Sequence, residues 1–109
     1  MKAEELIARY KAGDRDFQGA DLSKADLNSA RLSGVDLSKA NQSDADLSRA
    51  RLNDTDLREA NLRNANLYEV NLRRANLCGA DLRRAYLLNA HWFRVERDGI
   101  CSSRWYGTT

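Results

Sequence analysis

The sequence predicts a solenoid, a chain wound in coils about a common axis, and three periodic features predict it. A large apolar residue recurs at every fifth position, as in "ANLRNANLYEVNLRRANL", where leucine stands at 62, 67, 72 and 77. A small residue lies two places before each such centre, and Asp or Asn stands directly before most of them. Neither ordinary element buries this pattern. A helix advances about 100° per residue, so steps of five scatter the leucines around its surface, and a flat strand sends successive leucines to opposite faces. Two inward positions in each pentad therefore require the backbone to turn toward one axis once per repeat.

The N-terminal stretch "AEELIARYKAG" comes first and has a different period. Ala3, Leu6, Ile7 and Tyr10 fall at helical spacing, Glu4 and Glu5 lie early, Lys11 lies late and Gly13 supplies a stop. These features predict a short amphipathic helix within residues 1–13, placed to cap the solenoid.

The repeats run over residues 15–89, with centres at Phe17, Leu22, Leu27, Leu32, Leu37, Gln42, Leu47, Leu52, Leu57, Leu62, Leu67, Leu72, Leu77, Leu82 and Leu87. Gln42 is the one polar centre, and its amide is expected to find a backbone partner or to swing outward. The small position holds Ala except at Arg15, Val35, Thr55 and Val70. Asp or Asn precedes twelve of the fifteen centres, the exceptions being Arg31, Arg51 and Tyr86. Asp and Asn suit tight turns because their side chains bond nearby backbone groups, and Ser23, Ser33, Ser38, Ser43 and Ser48 fit the same role.

"ADLSKADLNSARLSGVDL" and "ANLRNANLYEVNLRRANLCGADL" resemble the pentapeptide repeat family, whose motif is A(D/N)LXX, and the match is continuous over residues 15–89. The resemblance implies an all-β solenoid, a right-handed quadrilateral β-helix in which four pentads make one coil. Fifteen repeats then give about four coils. It also implies that positions twenty apart stack, so that Gln42 lies between Leu22 and Leu62. Some members of the family carry a capping helix just before the first repeat, here before Asp16 and Phe17.

Residues 90–109 abandon the repeat and bring Trp92, Phe93, Val95, Ile100, Trp105 and Tyr106. Aromatics at this density call for burial, and a lid over the last coil is the favoured reading, with a self-association or partner surface as the alternative. One domain accounts for all 109 residues. Glu4 and Glu5 near the start exclude a signal-peptide core, no stretch is apolar enough to span a bilayer, and the cytoplasm is the default setting. Cys78 and Cys101 meet only if the tail folds back over the coils, and a reducing compartment disfavours a disulfide between them.

Charge carries most of the functional information. The net charge is +2, with nine basic against ten acidic residues in 1–54 and nine against six in 55–109. The family, by resemblance, includes acidic proteins that imitate double-stranded DNA and act on DNA gyrase. A short chain of net positive charge fits that poorly, although Asp16, Asp36 and Asp56 would line one face. The candidate interaction surface consists of Arg58, Arg63, Arg73, Arg74, Arg83 and Arg84 with Trp92, Phe93, Trp105 and Tyr106. Tyr68 and Tyr86 are the only aromatics interleaved with these arginines, so nucleic acid is disfavoured as a partner.

No catalytic, cofactor or metal site is expected. His91 occupies the slot of a worn motif residue, the regular Asp residues suit turns better than acid–base work, and the cysteines lack zinc-site spacing. The sequence thus predicts a non-enzymatic structural or protein-interaction module, monomeric or an end-to-end homodimer, whose partner is another protein. A DNA-mimic or nucleic-acid-related regulator, such as a DNA gyrase modulator, acting by mimicry or through the arginine-rich end, is the alternative.

Overall fold

The structure, a computed structural model, describes residues 1–91. Trp92, Phe93, Trp105, Tyr106 and Cys101 lie outside the described residues, as does nearly all of the expected lid.

Helix α1 spans Ala3–Lys11. Its apolar face is the predicted one: Leu6 is fully buried, and Ala3, Ile7 and Tyr10 pack against the same core as the leucine centres. The stop is a Schellman turn. Gly13, at φ +101°, donates its N–H to Tyr10 O at 2.9 Å, and Asp14 donates to Arg9 O at 3.0 Å. Two contacts fix the helix to the repeats. Tyr10 Oη donates to Ser33 O at 2.9 Å, and the N-terminal ammonium donates to Asp21 O at 2.8 Å.

Beyond the helix, twelve parallel bridges join residues twenty apart, from Asp16 with Asp36 to Asn71 with His91. Four pentads therefore close each coil, and the centres stack in four walls. Wall 1 carries Phe17, Leu37, Leu57 and Leu77; wall 2 Leu22, Gln42, Leu62 and Leu82; wall 3 Leu27, Leu47, Leu67 and Leu87; wall 4 Leu32, Leu52 and Leu72. All fifteen centres are buried, together with the small positions from Ala30 to Ala85. Three of the four departures from Ala are stacked, since Arg15, Val35 and Thr55 share one column with Ala75, while Val70 stands above Ala30 and Ala50.

Each corner is a hydrogen-bonded turn. In fourteen of fifteen pentads, the amide three places after the centre donates to the centre's carbonyl. At the remaining corner the Thr55 hydroxyl donates to Leu52 O instead, at 2.6 Å. The residue two places after every centre, from Gly19 to Asn89, has positive φ, as the third position of a type II turn requires. Twelve of these are not glycine and sit between +54° and +62°. Left-handed backbone costs a residue with a side chain about 1 kcal/mol or more, so the ladder between coils must hold them there. That ladder is dense: Leu47 N donates to Asn66 O at 2.8 Å, Asn66 N to Ala45 O at 2.9 Å and Arg49 N to Tyr68 O at 2.7 Å, and the pattern recurs around the coil.

All twelve Asp and Asn residues before the centres accept a hydrogen bond from the backbone N–H two places on, at 2.9–3.2 Å. These are Asx turns, the role expected of them. Serine hydroxyls at 23, 38, 43 and 48 add a second bond to the same oxygen. Ser33 follows Arg31, finds no such acceptor and donates to Asn53 Oδ1 of the next coil at 2.7 Å.

Two expectations fail. Gln42 neither swings outward nor finds a partner: it is fully buried, and neither Nε2 nor Oε1 is hydrogen-bonded. Its backbone is locked by a ladder bond to Asn61 O and by the corner bond from Ala45 N, so the side chain points inward whatever its chemistry. Cys78 is disulfide-bonded rather than a free thiol. His91 does hold the slot of a sixteenth motif residue, with its amide bonded to Val70 O at 2.8 Å.

Candidate interaction surface

With the centres inside, function rests on the outward positions, and the twenty-residue period decides which of them are neighbours. The predicted arginines do not form one surface. Arg58 lies on wall 1, Arg63, Arg83 and Arg84 on wall 2, and Arg73 and Arg74 on wall 4.

Most of these arginines have carboxylate partners. Arg58 grips Asp56 through two bonds of 2.9 and 2.6 Å, and Arg83 grips Asp81 in the same way at 2.9 and 2.7 Å. Arg63 joins Asp81 from the coil below at 3.8 Å. Arg74 reaches one coil down to Asp54, at 2.7 and 3.0 Å. The pairing holds Asp81, through Arg83, and Asp54, through Arg74, down at about 2, while the Arg58 contact lowers Asp56. Such exposed pairs add little to stability. Their effect is to neutralise both partners locally.

Charge is consequently distributed by wall. Wall 1 stacks Asp16, Asp36 and Asp56, as expected, but Arg58 answers Asp56 and Lys39 stands on the same wall. Among the described residues wall 4 is the most basic, with Arg31, Arg51, Arg73 and Arg74 against Asp54 alone. Among the described residues, the side chains of Arg31, Arg51 and Arg73 make no ion pair. A groove of about 290 Å³ runs beside them, lined by Arg49, Arg51, Glu69, Asn71, Arg73 and His91. On adjoining wall 3 the rings of Tyr68 and Tyr86 stack 6.1 Å apart at 21°, and the Arg49 guanidinium lies 5.4 Å from the Tyr68 ring centre.

The candidate surface drawn from the sequence omits Arg31, Arg49 and Arg51. The signal was present, because Arg31 and Arg51 break the Asp/Asn rule twenty residues apart. Two further grooves flank α1, one of about 570 Å³ between its start and Ser23 to Asp26, the other of about 410 Å³ between Tyr10 and Asn28 to Arg31.

Comparison with known proteins fits this geometry. Among solved structures, a pentapeptide repeat protein from Nostoc Pcc 7120, alr5209, is 37% identical, with 89% of this chain and 76% of that chain covered and a TM-score of 0.51. QnrB1, a plasmid-mediated fluoroquinolone resistance protein, is 22% identical over 84% of this chain and 47% of its own, with a TM-score of 0.58, a likeness of fold. Comparison with curated proteins gives no match. The pentapeptide repeats pattern, in 8 copies, matches residues 15–41 and 45–84, breaking off at Gln42. The chain belongs to the pentapeptide repeat family, and its fold is that family's quadrilateral β-helix.

Proposed function

We propose that this protein is a non-catalytic interaction module, a stack of about four coils capped by α1, whose partner is another macromolecule met by its outward walls. The carrying observation is the filled interior. Every pentad centre is buried, so the chemistry-bearing side chains are spread over flat walls, where substrates are not enclosed. Burial of Leu6 in the leucine core supports the cap, and the aromatic content of residues 90–109 supports a lid over the last coil or a dimer contact there. A pull-down from the native host, using the intact chain with wall-specific variants, tests the reading; capture that no wall variant alters would count against it.

Gyrase modulation by DNA mimicry is the second reading, favoured by the stacked Asp16, Asp36 and Asp56. The basic wall 4 opposes it, since a duplex mimic needs continuous negative potential. Unimpaired supercoiling by gyrase at high protein concentration would end that reading. A cytoplasmic setting belongs to the proposal as well. The disulfide at Cys78 is at odds with it, because reducing compartments keep thiols reduced, and fractionation of host cells decides.

A further inference from the structure

We propose that walls 3 and 4 together form a binding surface for single-stranded nucleic acid. The three repeat slots without Asp or Asn are Arg31, Arg51 and Tyr86, and all of them fall on these two adjacent walls. His91, in the sixteenth slot, falls there too. Each gives up an Asx turn that the other slots keep. Arg31 and Arg51 are moreover stacked as like charges across a parallel bridge, an arrangement that opposes folding. Local rules broken together in one place mark a surface kept for binding.

The chemistry of the patch specifies the ligand. Arg31, Arg51 and Arg73 have no carboxylate partner among the described residues, so their guanidinium forks are available to phosphate oxygens. Wall 3 also carries Asp26 and Asp46, in the column below Asn66 and Tyr86, where each accepts an Asx-turn bond, so the phosphate-binding part of the surface is the arginine groove of wall 4. Glu69, the one acid among the described residues lining that groove, is already held by Arg49 at 2.9 Å. Arg49 also lies over Tyr68 and so joins the basic groove to the Tyr68–Tyr86 stack, whose outer member Tyr86 is 44% exposed. A strand with unpaired bases uses both parts, with phosphates on the arginines and a base on the tyrosine face. An acidic peptide would satisfy the arginines and leave the rings without a flat partner. A duplex keeps its bases stacked inside and offers them nothing.

The test is fluorescence anisotropy of the full chain with a labelled oligothymidylate of about twelve nucleotides, a length suited to such surfaces. We expect saturable binding that Arg51→Ala with Arg73→Ala weakens at least about tenfold, and Tyr86→Ala about tenfold. Lys24→Ala with Lys39→Ala removes the same charge from walls 2 and 1 and should leave binding within about twofold. The salt dependence should fall by roughly 0.7 for each phosphate that an arginine no longer neutralises. Arg51→Asn restores the Asx acceptor, so weakened binding in a variant that melts no lower separates recognition from folding. The proposal is overturned by absence of binding, by equal losses in the lysine and arginine variants, by equal affinity for a duplex of that length, or by equal competition from an oligoglutamate peptide.

Discussion

Arg31 and Arg51 stand one above the other across a parallel backbone bridge, in two slots where twelve of the other pentads carry the acceptor of an Asx turn. Without that acceptor the next residue but one turns to the neighbouring coil, as the Ser33 bond to Asn53 shows. Arg51→Asn should therefore stabilise the fold. It restores one hydrogen bond, worth about 1 kcal/mol, and removes one of two like charges that face each other across the bridge. The melting temperature should rise by several degrees, and a fall would show that Arg51 has a favourable role in the folded state.

Gln42 offers a larger gain. Its amide is buried without a partner between Leu22 and Leu62, and an unsatisfied buried polar group costs about 1–3 kcal/mol. Replacement by Leu, the residue at most other centres, should recover energy of that order in urea unfolding. A destabilised Gln42→Leu would mean that the amide is bonded after all.

The converse substitution in the core should be severe. Leu47 is fully buried and has Leu27 below it and Leu67 above it in wall 3. Leu47→Ala leaves a cavity lined on both sides by the stack, and the expected loss is about 2–5 kcal/mol. A loss below about 1 kcal/mol would indicate that the coils close over the gap.

Acid should weaken the pairs on walls 2 and 4. Asp81 and Asp54 are held at about 2, against an ordinary 3.8, chiefly by hydrogen bonds from Arg83 and Arg74. Because their folded values are lowered, the folded state binds these protons more weakly than the unfolded chain. Their contribution is fully present above about pH 4 and disappears as the pH falls toward about 2. Carboxyl carbon NMR should place both midpoints in that window, and Asp81→Asn should flatten the loss of stability there. Midpoints near 3.8 for both groups would contradict the pairing.

The ladder of centres, the small inward positions and α1 are legible in the sequence, because each follows from a local period. Gly13 announces the helix stop, and the Asp and Asn residues announce the turns. The left-handed backbone at Lys24, Arg49 or Glu69 is not legible, since nothing in those side chains asks for positive φ. It is imposed by bonds from neighbouring coils. The grouping of the arginines is hidden for a similar reason. Arg73 and Arg83 differ locally, since Asp81 stands two places before Arg83 and Asn71 two places before Arg73, but that Arg73 shares a wall with Arg31 and Arg51 while Arg83 lies beside Arg63 follows only from the twenty-residue stacking. The same stacking hides the Arg49–Glu69 and Arg74–Asp54 pairs from a reading confined to neighbours in sequence.

One spectrum examines the winding itself. Isotope-edited NOE spectroscopy should show backbone contacts between residues twenty apart, such as Asp46 with Asn66 and Arg51 with Asn71, throughout residues 16–91. Those contacts missing, with sequential helical contacts three and four residues apart in their place, would contradict the coil and every assignment of a residue to a wall.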